Sequence, residues 1–155
     1  MEHMRDSSWR TAISATLHCL TGCAIGEVLG MVIATALGWG AVASIALSIG
    51  LAFLFGYALT GVGLLRAGLA LSAVIPLALA ADTISIATME VVDNLFLLVV
   101  PGAIEAELRD ALFWWSLAVA LAVAFVVTVP VNRLLIRRGK GHAVVHQHHH
   151  AHHTH

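Results

Sequence analysis

T-A-I-S-A-T-L-H-C-L-T-G-C-A-I-G-E-V-L-G-M-V-I-A-T-A-L, from Thr11 to Leu37, decides the fold of this chain. The stretch holds no Lys, Arg or Asp, and it is longer than the roughly 20 apolar residues that cross a bilayer as a helix. It predicts a membrane span. The same stretch carries Thr16, His18, Cys19, Cys23 and Glu27, groups that bind metal or carry charge where hydrocarbon should follow. A carboxylate and two thiols at membrane depth are costly to keep, which points to a functional site.

The rest of the chain agrees with a membrane setting. Its 155 residues are 59% hydrophobic and 11% charged, with a mean hydropathy of +0.90, far from the roughly 25% charged residues of soluble domains. A net charge of -1 argues against nucleic acid as a partner, because phosphate binding needs excess Lys and Arg. Two cysteines imply no disulfide framework. The mixed charges Glu2, Arg5, Asp6 and Arg10, followed by so long an apolar stretch, do not resemble a cleavable leader.

Three further segments are apolar enough to span: Ala41 to Leu65, Ala67 to about Val92, and Ala111 to Leu134. The expected fold is therefore all-α, a polytopic bundle of four transmembrane helices over 11–138, preceded by a short segment 1–10 and followed by a polar tail 139–155. Short connections imply antiparallel neighbours. If the N-terminus is cytoplasmic, Arg5, Arg10, Arg66, Arg133, Arg137, Arg138 and Lys140 lie on that side and Arg109 alone lies opposite. Such asymmetry predicts that both termini are cytoplasmic. Trp9, Trp39, Trp114 and Trp115 all fall at span boundaries, the place that suits an apolar ring with a polar N–H. The third segment resumes its apolar character at Leu95 to Val100. We expect a continuous helix to about Val92 with the remainder on the membrane surface, rather than a helix broken near Asp82.

On a helix wheel Cys19, Cys23 and Glu27 fall at about 0°, 40° and 80°, with Thr16 near 60°. They form one polar stripe. Cys19 and Cys23 are i and i+4, with Cβ atoms roughly 5 to 6 Å apart, too far for an unstrained disulfide. Two thiolates suit a single soft ion, Cu(I) first and Zn(II) second. His18 lies about 100° away from Cys19 and would need a local distortion or a neighbouring subunit to join the same site. Packing is the alternative, since buried Cys is a small hydrophobe and an intramembrane His can bond a neighbouring helix. Gly22, Gly26 and Gly30 recur every four residues and allow close backbone approach. They are the expected contact face of a homodimer or larger oligomer.

The pattern T-x-H-C-x-x-G-C-x-x-G-E, Thr16 to Glu27, resembles the hallmark of a family of small prokaryotic four-helix membrane proteins catalogued as a domain of unknown function. The resemblance extends from about Thr11 to Arg138 and takes in D-T-I-S-I-A-T-M-E from Asp82 to Glu90. It implies an integral protein of a prokaryotic cytoplasmic membrane and brings no activity with it.

In the third segment Asp82, Ser85, Met89, Glu90 and Asp93 share a second face. Counted from Thr11 and Ala67, Glu27 and Asp82 lie at about 24 and 22 Å along their helices, so they are expected to meet at one depth. Glu90 and Asp93 are assigned to the interface. Pro76 and Pro130 are expected to kink their helices. The tail carries His142, His146, His148, His149, His150, His152, His153 and His155; it reads as disordered and as an auxiliary binder of Zn(II), Cu(II) or Ni(II) that releases metal on acidification.

These residues point to a membrane metal-ion binding or transport protein, copper the first candidate. Cys19 and Cys23 supply soft ligands, His18 and Met89 auxiliary ones, and Glu27 and Asp82 handle charge or protons. Two alternatives stand beside it. One is a proton-coupled carrier using Glu27 and Asp82 without metal; the other is a membrane redox or haem module. Cys-x-x-x-Cys is not the Cys-x-x-Cys of thiol redox sites, a second axial His is lacking, and no nucleotide motif occurs. An enzyme and an organic cofactor are therefore not expected.

Overall fold

The computed structural model describes residues 2–137 and shows four helices: α1 (Glu2–Ala36), α2 (Ala41–Arg66), α3 (Leu71–Val99) and α4 (Ala111–Arg137). No strand occurs among the described residues. Three of these helices, over Trp9–Ala36, Ala41–Arg66 and Ala111–Leu135, are long and apolar enough to cross a membrane. Helix α3 reaches that standard only when its two pieces, Leu71–Ala80 and Asp82–Val99, count as one bent span.

The distribution of side chains is inverted relative to a soluble bundle. Val42, Leu71, Leu98 and Val99 stand on the outside, Val42 with 84% of its surface exposed, whereas Thr16, Asp82, Ser85, Glu90, Asp93, Thr128 and Asn132 are buried. Water would penalise that arrangement on both counts, and a hydrocarbon surround removes the cost of the exposed apolar face.

Each short connection ends a helix by the same device. Gly38 and Gly68 adopt positive φ, 69° and 93°, where a Cβ would clash. Trp39 N–H bonds Ala34 O and Gly38 N–H bonds Thr35 O; Leu69 N–H bonds Leu64 O and Gly68 N–H bonds Leu65 O. Both are Schellman closures, which satisfy the last helical carbonyls without solvent. Leu69 then packs on Leu64 and Val74, tying the end of α2 to the start of α3.

Helix α1 is the hub, in contact with α2, α3 and α4. Its glycines face α2 in antiparallel register: Gly22 opposes Gly56, Gly26 opposes Ala52 and Gly30 opposes Ser48. The glycine face offered by the sequence for oligomer contact is thus covered by the same chain, because a short Gly38–Gly40 connection delivers α2 directly onto it. A Cβ on Gly22 would lie 2.8 Å from Gly56 Cα, and one on Gly26 would collide with the Leu51–Ala52 backbone. Gly50 has open space instead. Gly26→Ala is therefore expected to destabilise the bundle by about 2 kcal/mol through overpacking, while Gly50→Ala leaves stability level or slightly raised. Thermal unfolding in detergent checks the pair; equal midpoints would contradict the close contact.

Several boundaries differ from the sequence expectation. Helix α1 extends back to Glu2, since a helix does not end where its apolar pattern ends. Helix α3 begins at Leu71, because residues 67–70 are taken up by the turn, and it continues through Val99, so Leu95 to Val99 belong to the helix. Helix α3 runs continuously past Asp82, as expected, but bends by 40° between Leu71–Ala80 and Asp82–Val99, less than two turns after Pro76, which has no N–H to give to the Ser72 carbonyl. The His-rich tail, His142 to His155, together with Arg138 and Lys140, lies outside the described residues.

Candidate functional site

Parallel helices α1 and α3, braced by antiparallel α2 and α4, bring the two predicted polar faces together. The site is a file of groups running along the bundle axis. Nearest the end that holds the Gly38–Gly40 turn and the 100–110 connection is a cavity of about 470 Å³. Glu27, Glu90, Asp93 and Asn94 line its inner part, with Ser44 and Ser48 from α2, and Glu105 and Glu107 stand toward its mouth.

The three inner carboxyl groups are buried, with 8% of Glu27, 4% of Glu90 and 1% of Asp93 exposed. Glu27 faces Asp93 and Glu90. Asn94 Nδ2 donates to the Glu90 backbone carbonyl at 2.8 Å and to Glu90 Oε2 at 3.4 Å. Glu27 Oε1, Glu90 Oε1 and Asp93 Oδ1 have no hydrogen-bond partner. Leaving such oxygens unpaired away from water costs on the order of 1–3 kcal/mol each, so mere packing would not retain the trio.

Inward from the carboxyl cluster, Cys23 stands beside Glu90. One turn further Cys19 Sγ donates to Asp82 Oδ1 at 3.8 Å, and Thr60 of α2 lies beside the same carboxyl group. The two cysteines form no disulfide. Met89, Ile86, Ala52 and Ala124 surround them. Beyond Asp82 the file becomes neutral: Ser85 donates to Asn132 Oδ1, Asn132 Nδ2 donates to Thr16 Oγ1 at 2.8 Å, and Thr16 closes onto Ala12 O at 2.6 Å. Trp9 and Arg133 hold α1 and α4 together at this end, the guanidinium 4.2 Å from the ring centroid, a favourable cation–π distance.

Cys19, Cys23, Glu27, Asp82 and Met89 are thus all buried in one file, and His18 is half-buried, in keeping with its offset around α1. The expected meeting of Glu27 with Asp82 does not occur. Asp82 meets Cys19, eight residues and about 12 Å before Glu27 along α1. Starting α3 at Leu71 instead of Ala67 lowers Asp82 by about 6 Å, which accounts for half of that difference. Glu90 and Asp93, assigned by sequence to the interface, take the place beside Glu27. Their spacing of eight and eleven residues from Asp82 was a usable signal, since it keeps them on one helical face. Asn132, Thr60 and Thr128 were missed; single amides and hydroxyls in apolar helices are too common to stand out.

Among the described residues no three His, Cys, Asp or Glu side chains already converge as a metal-holding group. The match to known proteins is one of family. Residues 8–141 match the family model described as a domain of unknown function (DUF4396). No curated protein and no solved structure matches the chain.

Proposed function

The chain belongs to the DUF4396 family, whose description assigns no activity, and from the site we propose that it is a membrane protein that binds and transports a transition-metal cation. One observation carries this reading: three buried carboxyl groups, each with an unpartnered oxygen, line a cavity that Glu105 and Glu107 line as well. Negative groups in a low-dielectric cleft concentrate cations. Cys23 and Cys19 continue the file with soft ligands, which keep Cu(I) the first candidate, while oxygen and sulfur together suit Zn(II). Proton carriage without metal is the second reading, favoured by the burial of Glu27, Glu90 and Asp93 around one cavity.

We propose further that the chain makes four spans in a prokaryotic cytoplasmic membrane with both termini cytoplasmic, as the Arg and Lys distribution supports. The cavity then opens to the outside. The small size of the chain supports a homodimer or larger oligomer, assembled on a face other than the α1 glycines. Single Cys reporters at Ser7, Gly40, Glu107 and Gly141 in a Cys-free background test the orientation. Membrane-impermeant label should reach Gly40 and Glu107 from outside; labelling of Ser7 or Gly141 would reverse it.

Metal content of purified protein tests the function. Deleting His142 to His155 should remove most weak, acid-labile Zn(II) and Ni(II) binding while Cu(I) stays on Cys19 and Cys23, because thiolate is the softer ligand. Equal loss of all three metals would place the binding in the tail and remove the membrane site from the proposal.

A further inference from the structure

Glu27, Glu90 and Asp93 bring more acceptors to the cavity than the chain supplies donors. Each of the three side chains is more than nine-tenths buried, lines the cavity and keeps one oxygen without a hydrogen-bond partner. The hydroxyls that share the cavity are already committed to the backbone: Ser44 donates to the Gly40 carbonyl, Ser48 to the Glu27 carbonyl and Ser116 to the Leu112 carbonyl. Asn94 donates to Glu90 Oε2 and leaves Oε1 bare. Arg109, the basic residue of the 100–110 connection, is exposed and pairs with Glu107 at 3.1 Å.

The rest of the cavity suits an organic molecule. Its volume of about 470 Å³ lies within the roughly 300–1,000 Å³ of pockets that hold small organic ligands, far more than a single metal ion fills. Met31 of α1, Ile45 and Ile49 of α2, Leu97 of α3 and Phe113 of α4 line it, with Trp39 from the first turn. Such walls gain from contact with an apolar body, and a hydrated ion offers them none. We infer that this cavity binds an amphipathic primary amine in its ammonium form, the N–H groups on Glu27, Glu90 and Asp93 and the apolar body against the walls. An ammonium carries three donors and no acceptor, which matches the three unpaired oxygens. A neutral alcohol would add an acceptor to a cluster that lacks donors, and the carboxyl groups would repel an anion. The inference shares the carboxyl groups with the metal reading and goes beyond it, because neither Cys19 nor Cys23 lines the cavity.

Equilibrium dialysis of the full chain, with the same detergent micelles in both chambers, tests it at neutral pH, where an alkylamine is protonated. The probes are dansylcadaverine, a primary amine on an aromatic body, and N-hexyl dansylamide, in which a methyl group replaces the ammonium. After subtraction of micelle uptake the amine is expected to bind at least about tenfold more tightly than the hexyl analogue, the scale of one hydrogen bond to a charged group. Glu90→Gln and Asp93→Asn should each weaken the amine by roughly tenfold or more and leave the analogue level. Should a variant fail to fold, the two probes on the wild-type chain decide. Equal retention of both probes, no amine above empty micelles, or amine binding untouched by both substitutions would overturn the inference. Zn(II) and Cu(I) retention is read on the same preparation without probe. Metal without amine removes this inference alone, and amine without metal removes the metal reading alone.

Discussion

Glu27→Gln is expected to lower metal retention and uptake by roughly 100-fold, the upper end of what removal of a site-orienting partner costs. Glutamine keeps the volume and the position on α1, so the Gly26–Ala52 contact and the cavity survive. What it loses is one anionic oxygen of the trio with Glu90 and Asp93, and it brings an amide that donates rather than accepts. Equilibrium dialysis of the purified variant reads retention, and vesicle uptake reads transport. Wild-type values in both would show that Glu27 serves only to fill space between α1 and α3. A loss of folding is separable, because detergent unfolding of Glu27→Gln should be level or even raised once a buried carboxyl group is made neutral.

Asp82→Asn is expected to behave differently. Asp82 lies two turns from Glu27 and touches Cys19 rather than the cavity. Metal retention should stay within about twofold, while movement across proteoliposomes slows by at least about tenfold, since the amide cannot take up a proton released at Cys19 or compensate a cation there. Retention and flux measured on the same preparation separate the two effects. Parallel loss of both would merge Asp82 with the cavity site; unchanged flux would remove it from the path.

The contrast between these variants follows from the register of α1 against α3, which the linear chain does not display. Counting from predicted helix starts aligned Glu27 with Asp82, and half of the error in that count arises because a Schellman turn takes residues 67–70 out of the helix. Without the turn's hydrogen bonds, a Gly at position 68 can mark either a bend or a point inside a helix. Glu90 and Asp93 were visible as members of one face, yet their depth was misjudged, because the helix was expected to end near Val92. The glycines of α1 were legible as a close-contact face; whether α2 or another copy fills it depends on the crossing of the two helices.

Composition and periodicity alone determined that this chain is all-helical, that it is apolar enough for a membrane, and that Cys19, Cys23 and Glu27 share a stripe and Asp82, Glu90 and Asp93 another. Those properties are local. They depend on hydropathy and on the 3.6-residue repeat, both of which are read along one helix at a time. Tertiary structure decided which groups of the two stripes meet, that Asn132 of α4 closes the file between Ser85 and Thr16, and that a cavity leads to the carboxyl trio. These depend on turn geometry, the 40° bend of α3 and the Gly–Ala contact of α1 with α2, distances set between residues far apart in the chain, which no local pattern encodes.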